Sequence, residues 1–255
     1  MSYQTISLKK TDHVMVISGT WLGDPAEAVR CSDELGEVCA AINHDEEIRV
    51  VVLTGDEKSF VMETGLNGEA SGENDGLQTR FCSLSDPIAK LDRPVIAAIS
   101  GDAIGQGLEL ALACDIRIAS EMSHFGLPQI RAGHIPWDGG TQRLSRLVEK
   151  SKALEMILTG EVIDAQEALR IGLVHKVVPN KDLTEVTMKM AKEMASKGPI
   201  ALRYTKEAVY KGMDMTLEQG LRLEADLYLL IHTSKDRSEG IQAFRDKKTP
   251  RFEGK

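Results

Sequence analysis

The stretch Arg93-Pro94-Val95-Ile96-Ala97-Ala98-Ile99-Ser100-Gly101-Asp102-Ala103-Ile104-Gly105-Gln106-Gly107-Leu108-Glu109-Leu110-Ala111 decides how the rest of the chain is read. Its first half predicts a buried strand, its middle a Gly-rich turn, and its end a helix with a carboxylate, Glu109, in the first turn. Glycine lets backbone approach a ligand closely, and a helix N-terminus presents N–H groups without intrahelical partners together with partial positive charge. Such a turn can hold an oxyanion. Taken alone, Gly105 and Gly107 followed by Glu109 read rather as a tight strand-to-helix connection beside a solvated acid favourably placed near the helix dipole. Gly101 to Gly107 also hints at a dinucleotide loop. The G-x-G-x-x-G spacing is missing, however, and the segment lies far from the first strand–helix unit, so a nucleotide-dependent dehydrogenase is rejected.

Outward from this stretch, short β-branched runs alternate with helical patterns: Val14 to Ile17, about Ala26 to Asn43, Ile48 to Thr54, then Val95 to Ser100. That alternation predicts an α/β fold. Val50 to Leu53 is apolar on both faces, as a strand covered on both sides requires. From about Gly139 onward the pattern is helical almost throughout, with amphipathic stretches at Leu183 to Ala195, Leu202 to Lys211 and Leu217 to Ile231. Gly65 to Gly76, rich in Gly, Asn, Ser and Glu, reads as a surface loop.

A chain of 255 residues, 42% hydrophobic, can bury a large core as one catalytic unit with an appendage. With 31 Lys and Arg against 39 Asp and Glu, the net charge of −8 gives no global field to attract nucleic acid or anionic lipid. The N-terminus has no apolar leader and no segment is long enough to span a membrane, which predicts a soluble, cytoplasmic protein. Cys31, Cys39, Cys82 and Cys114 stand singly in apolar patterns without metal spacing, as reduced, buried thiols would; neither zinc nor disulfides are indicated.

Downstream of the decisive stretch stand Cys114-Asp115-Ile116-Arg117-Ile118-Ala119, Phe125-Gly126-Leu127-Pro128-Gln129, Gly133-His134-Ile135-Pro136 and Gly139-Gly140-Thr141-Gln142-Arg143-Leu144. They are followed by Leu158-Thr159-Gly160, Ala165-Gln166-Glu167-Ala168 and Gly172-Leu173-Val174. This series resembles the enoyl-CoA hydratase/isomerase (crotonase) family, most strongly from about Ile48 to Pro179. The resemblance implies a spiral of ββα repeats over residues 1–195 and a C-terminal helical oligomerisation region over 196–255 that builds a homotrimer or hexamer. It also implies an acyl-CoA substrate, so coenzyme A enters as part of the substrate and no cofactor is permanently bound.

Residue by residue, the resemblance places the thioester oxygen between two backbone N–H groups, those of Met62 and Gln106, with Gly105 and Gly107 flanking the second. Read without it, Met62 is a flexible gap-filler beside Phe60. The two glutamates of family hydratases match Glu109 and Gln129. Glu109 is the candidate base, whereas Gln129, an amide, can orient water or substrate but cannot donate a proton and regain it. Asp138 is either a compensating acid or an N-cap for the helix beginning near Gly139. Glu63, where relatives carry glycine, is a pocket residue or a solvated loop acid. Trp137 either narrows the pocket toward a cyclic or aromatic-like acyl group or packs in the core. The segment Ser18 to Pro25 departs from the family pattern, so no nucleotide contacts are carried over to it.

Three activities follow. The first is hydration of an α,β-unsaturated acyl-CoA, including a cyclic or dienoyl one, through an enolate with Glu109 as base. The second is double-bond isomerisation or another enolate-forming reaction, such as hydrolysis or decarboxylation, with Glu109 alone moving the proton. The third is a silent acyl-CoA-binding protein, which would need no base beside the turn.

Overall fold

The computed structural model describes residues 3–19, 25–55, 59–61 and 82–255. Along the chain, β1 (Ile6–Thr11) and β2 (Val14–Gly19) precede α1 (Pro25–His44), and β3 (Val50–Thr54) and β4 (Ser59–Val61) precede α2 (Ser85–Ala89). Next come β5 (Val95–Ile99), β6 (Asp102–Ile104) and α3 (Gln106–Ala113), then β7 (Ile116–Ser120) and β8 (His124–Gly126). A 3-10 turn (Pro128–Ala132) leads to α4 (Gly140–Leu147) and α5 (Lys150–Thr159), followed by β9 (Val162–Asp164), α6 (Ala165–Arg170) and β10 (Lys176–Val178). Four helices end the chain: α7 (Leu183–Ala195), α8 (Pro199–Met213), α9 (Leu217–Ile231) and α10 (Lys235–Asp246).

The strands form a six-stranded sheet in the order β1-β2-β3-β5-β7-β10 and a four-stranded sheet in the order β4-β6-β8-β9. After the opening β1–β2 hairpin, three repeats (β3–β4, β5–β6 and β7–β8) each give their first strand to the large sheet and their second to the small one, and β9 then extends the small sheet before β10 extends the large one. The repeats therefore wind as a spiral of ββα units. All pairings in the large sheet beyond β1–β2 are parallel.

Strand alternation sets two cores, because successive side chains point to opposite faces. Val51, Leu53, Ala97 and Ile99 join Leu35 and Val38 of α1 and Leu108 and Ala111 of α3 on one face. Val50, Val52, Ile96, Ala98 and Ile118 meet Leu183, Ala191 and Ala195 of α7 on the other. Both faces are thus covered, as the continuous apolar runs required.

Two expectations are corrected. The region after Gly139 is interrupted by β9 and β10, and the turn after Ile99 contains β6. Strands of three residues are too short to show a period of two. Cys31, Cys39 and Cys114 are buried, and burial pushes each thiol up to about 12, but Cys82 is only half-buried. The expected loop at Gly65 to Gly76 lies outside the described residues. Among the described residues no helix is long and apolar enough to cross a membrane.

Polar links tie the terminal helices to the body. Lys206 Nζ of α8 donates to Asp115 Oδ2 at 2.8 Å and to the Arg93 carbonyl at 2.9 Å, and the Tyr210 hydroxyl donates to Asp115 Oδ1 at 2.8 Å. By contrast, Val209, Met213, Leu217, Leu221, Leu229 and Phe244 are exposed.

Candidate active site

Strand β6 ends at Ile104, and Gly105 turns the chain into α3 with φ +55° and ψ −123°, a backbone that glycine adopts without the Cβ penalty. Its N–H donates to the Gly126 carbonyl at 2.9 Å, which pins the turn to β8. Gln106 is the first residue of α3, a position whose N–H has no intrahelical acceptor. Gly107 follows, and every residue of α3 after Gln106 is buried.

Glu109 is therefore carried into the core on an apolar helix, with a relative exposure of 0%. Its Oε1 accepts from the backbone N–H groups of Asp138 and Gly140, both at 2.8 Å, and its Oε2 accepts from Gln129 Nε2 at 3.3 Å. No cation is among these donors. Burial is the main reason its pKa is pushed up to about 7. The Gly140 N–H opposes that rise, and the nearby Asp138 charge adds to it. A carboxylate so placed exchanges protons near neutral pH, as a general base must.

Gln129 lies in the 3-10 turn after β8 and is buried. Its Nε2 faces Glu109, while its Oε1 is a buried acceptor without a partner among the described residues. Such an acceptor is costly unless something donates to it, and a water or substrate group that did so would stand beside the Glu109 carboxylate.

Asp138 is brought to the same place, but not as the N-cap of α4. That helix starts at Gly140 behind Gly139, φ +102°, without a side-chain cap. The Asp138 carboxylate turns instead toward α2 and accepts from the Ser83 hydroxyl and from the Leu84 and Ser85 N–H groups, each of the latter at 3.0 Å. Gln106 Nε2 approaches it at 3.5 Å and also donates to the Cys82 carbonyl at 2.9 Å. Trp137, adjacent in the chain, is 45% exposed, which removes the core-packing reading. Met62 and Glu63 lie outside the described residues.

Two contributors had no signal in the sequence reading. At Gly140 a Cβ would stand 2.9 Å from Glu109 Oε1 and 2.8 Å from Pro136 Cβ, so only glycine leaves the carboxylate its place. Arg143, one turn into α4, donates from Nη1 to the Asp138 carbonyl at 2.8 Å, fixing the loop whose N–H groups hold Glu109.

Comparison with known proteins is consistent with this geometry. Residues 26–255 match the family model described as enoyl-CoA hydratase/isomerase. A 2,3-dehydroadipyl-CoA hydratase from Escherichia coli (strain K12) is 42% identical over 83% of this chain and 83% of its own. An (E)-benzylidenesuccinyl-CoA hydratase from Thauera aromatica is 37% identical over 98% of this chain and 99% of its own. Among solved structures, an enoyl-CoA hydratase from Bacillus anthracis superposes with a TM-score of 0.90 at 40% identity, covering 99% of this chain and 100% of that one. With the ββα spiral and the Gly-Gln-Gly turn in place, these matches establish that the chain belongs to the enoyl-CoA hydratase/isomerase family.

Proposed function

We propose that this protein adds water across the α,β double bond of an unsaturated acyl-CoA thioester, with Glu109 as the base. The observation that carries this reading is a fully buried carboxylate, its pKa pushed up to about 7, beside a buried amide oxygen that has no donor among the described residues. A water between them would donate one hydrogen to Glu109 Oε2 and the other to Gln129 Oε1. As its oxygen bonds to Cβ, the proton passes to Glu109 and the π electrons move onto the thioester oxygen. The N–H of Gln106, and by family resemblance that of Met62, would hold the resulting enolate. Glu109 then returns the proton to Cα, so a single carboxylate balances the reaction.

Gln129 supports a second reading. Because an amide has no proton to deliver, Glu109 alone also suffices for a double-bond shift, with the proton removed from one carbon and returned to another. Trp137, exposed beside the site, suits a flat or cyclic acyl group. The exposed apolar residues of α8 to α10 support assembly into a homotrimer or hexamer through residues 196–255. Coenzyme A enters as part of the substrate, and the working compartment proposed is the cytoplasm.

The test is mass spectrometry of products formed in heavy-oxygen water from linear and cyclic enoyl- and dienoyl-CoA thioesters, alongside Glu109→Gln. Label in a hydroxyacyl-CoA that disappears in the variant supports the hydratase and names its acyl class. Unlabelled, rearranged thioester replaces it with the isomerase, and label in a free acid with a hydrolase.

A further inference from the structure

Asp138 touches both halves of the site through different atoms. Its N–H donates to Glu109 Oε1 at 2.8 Å, and its carbonyl accepts from Arg143 Nη1 at 2.8 Å. Its carboxylate, on a residue only 6% exposed, gathers the Ser83 hydroxyl, the Leu84 and Ser85 N–H groups and the Gln106 side-chain amide. Four donors converge on a group that offers none in return, so its chemistry here is to hold. They come from the entry to α2 and from the first residue of α3, far apart in sequence.

We infer that Asp138 is a positioning residue: it clamps the first residue of α3, and with it the Gln106 N–H, to the same frame that holds the Glu109 carboxylate. The inference rests on the enolate chemistry proposed above, and it assigns Asp138 a part other than that of a compensating acid. A fixed spacing between base and oxyanion donor matters because a displacement of about 1 Å can lower a rate about a hundredfold. Asp138 also faces Glu109 as a like charge. The charged groups facing Glu109 among the described residues are Asp138 and Arg143; burial is the largest cause of its high pKa, Asp138 adds to it, and Arg143 opposes it.

The experiment is carbon-13 NMR of protein labelled at the glutamate carboxylates, titrated with pH in the intact wild type and in Asp138→Asn. The Glu109 resonance is identified by its absence in Glu109→Gln. An asparagine keeps an acceptor for the Leu84 and Ser85 N–H groups, and Ser83 can accept from its amide, so the fold is retained. The Glu109 midpoint is expected to fall by about half a pH unit as the like charge is lost, and kcat to fall about tenfold with KM within about twofold. Ser83→Ala, which keeps the charge and loosens the clamp, should lower kcat less and leave the Glu109 midpoint in place.

A lower melting temperature with unchanged Glu109 titration and unchanged kcat would reduce Asp138 to a cap of α2 and overturn the inference. Turnover abolished with the Glu109 midpoint unmoved would overturn it in favour of an acid. The titration needs no substrate, so it is read independently of the heavy-oxygen result that decides between hydratase and isomerase.

Discussion

The two ends of α3 hold two carboxylates in opposite circumstances. At its N-terminal end, Glu109 is fully buried among backbone N–H groups and one amide, with no cation bonded to it among the described residues. Just beyond its C-terminal end, Asp115 accepts from the Val95 N–H at 2.7 Å, Lys206 Nζ at 2.8 Å and the Tyr210 hydroxyl at 2.8 Å. A carboxylate paired to an ammonium stays charged and ties elements together; one surrounded by neutral donors in a dry site can trade its proton. The same functional group thus ties elements together at one end of an eight-residue helix and, in the function proposed, reacts at the other.

The comparison would break most visibly at Glu109. Glu109→Gln is expected to lower kcat about a thousandfold, within the range that loss of a general base produces. The same substitution should leave the protein more resistant to heat above neutral pH. Glu109 has a raised folded-state pKa, so its contribution to stability is complete below the unfolded value and is lost as pH rises through about 7. Glutamine does not titrate. Melting curves at pH 5 and pH 8 check this, and a variant advantage that fails to grow with pH contradicts the assignment.

A smaller effect is expected from Gly140→Ala, whose Cβ would crowd Glu109 Oε1 at 2.9 Å. Displacing the carboxylate should reduce kcat about a hundredfold while binding of the CoA ester persists, as steady-state kinetics and calorimetry with a saturated thioester would show. In the unmodified enzyme, kcat/KM should rise about tenfold per pH unit up to a bend near 7, where Glu109 loses its proton, and flatten above it. A profile flat from pH 5 to 8 would leave Glu109 without its role as base.

At the other end of the helix, Asp115→Asn should leave kcat within about twofold of wild type. It should cost about 2 kcal/mol of stability, because Lys206, with a side chain 11% exposed, would lose its counter-charge. Chemical denaturation reads this effect, and a large fall in kcat would show that the two ends are not independent.

Much of this arrangement was legible in the chain, and the reason differs from element to element. Helix α7 spans Leu183–Ala195 and α9 spans Leu217–Ile231, as their apolar periodicity required, because long amphipathic helices repeat a local pattern several times. Strand β5 was legible as an unbroken apolar run. The small sheet was not, since β4, β6, β8 and β9 are three residues each and owe their existence to neighbours brought in from elsewhere. Glu109 could be singled out only through the motifs downstream of it and the family they resemble, because a carboxylate in the first turn of a helix is by itself as well explained by the helix dipole. The reach of Asp138 to Leu84 and Ser85 could not, because contacts between residues more than fifty positions apart leave no local trace.

The order of strands in the large sheet has a consequence for how the molecule comes into being. From β1 through β3, β5 and β7 to β10, position across the sheet follows position along the chain, and the small sheet obeys the same rule. A polypeptide emerging from the ribosome can therefore add each strand to the edge of those already laid down, with no strand forced between two earlier ones. What arrives late is α7, so the face bearing Val50, Val52 and Ile96 stays bare until Leu183 to Ala195 have been synthesised. During that interval the growing protein presents an apolar wall, and it is there that a chaperone would have something to hold.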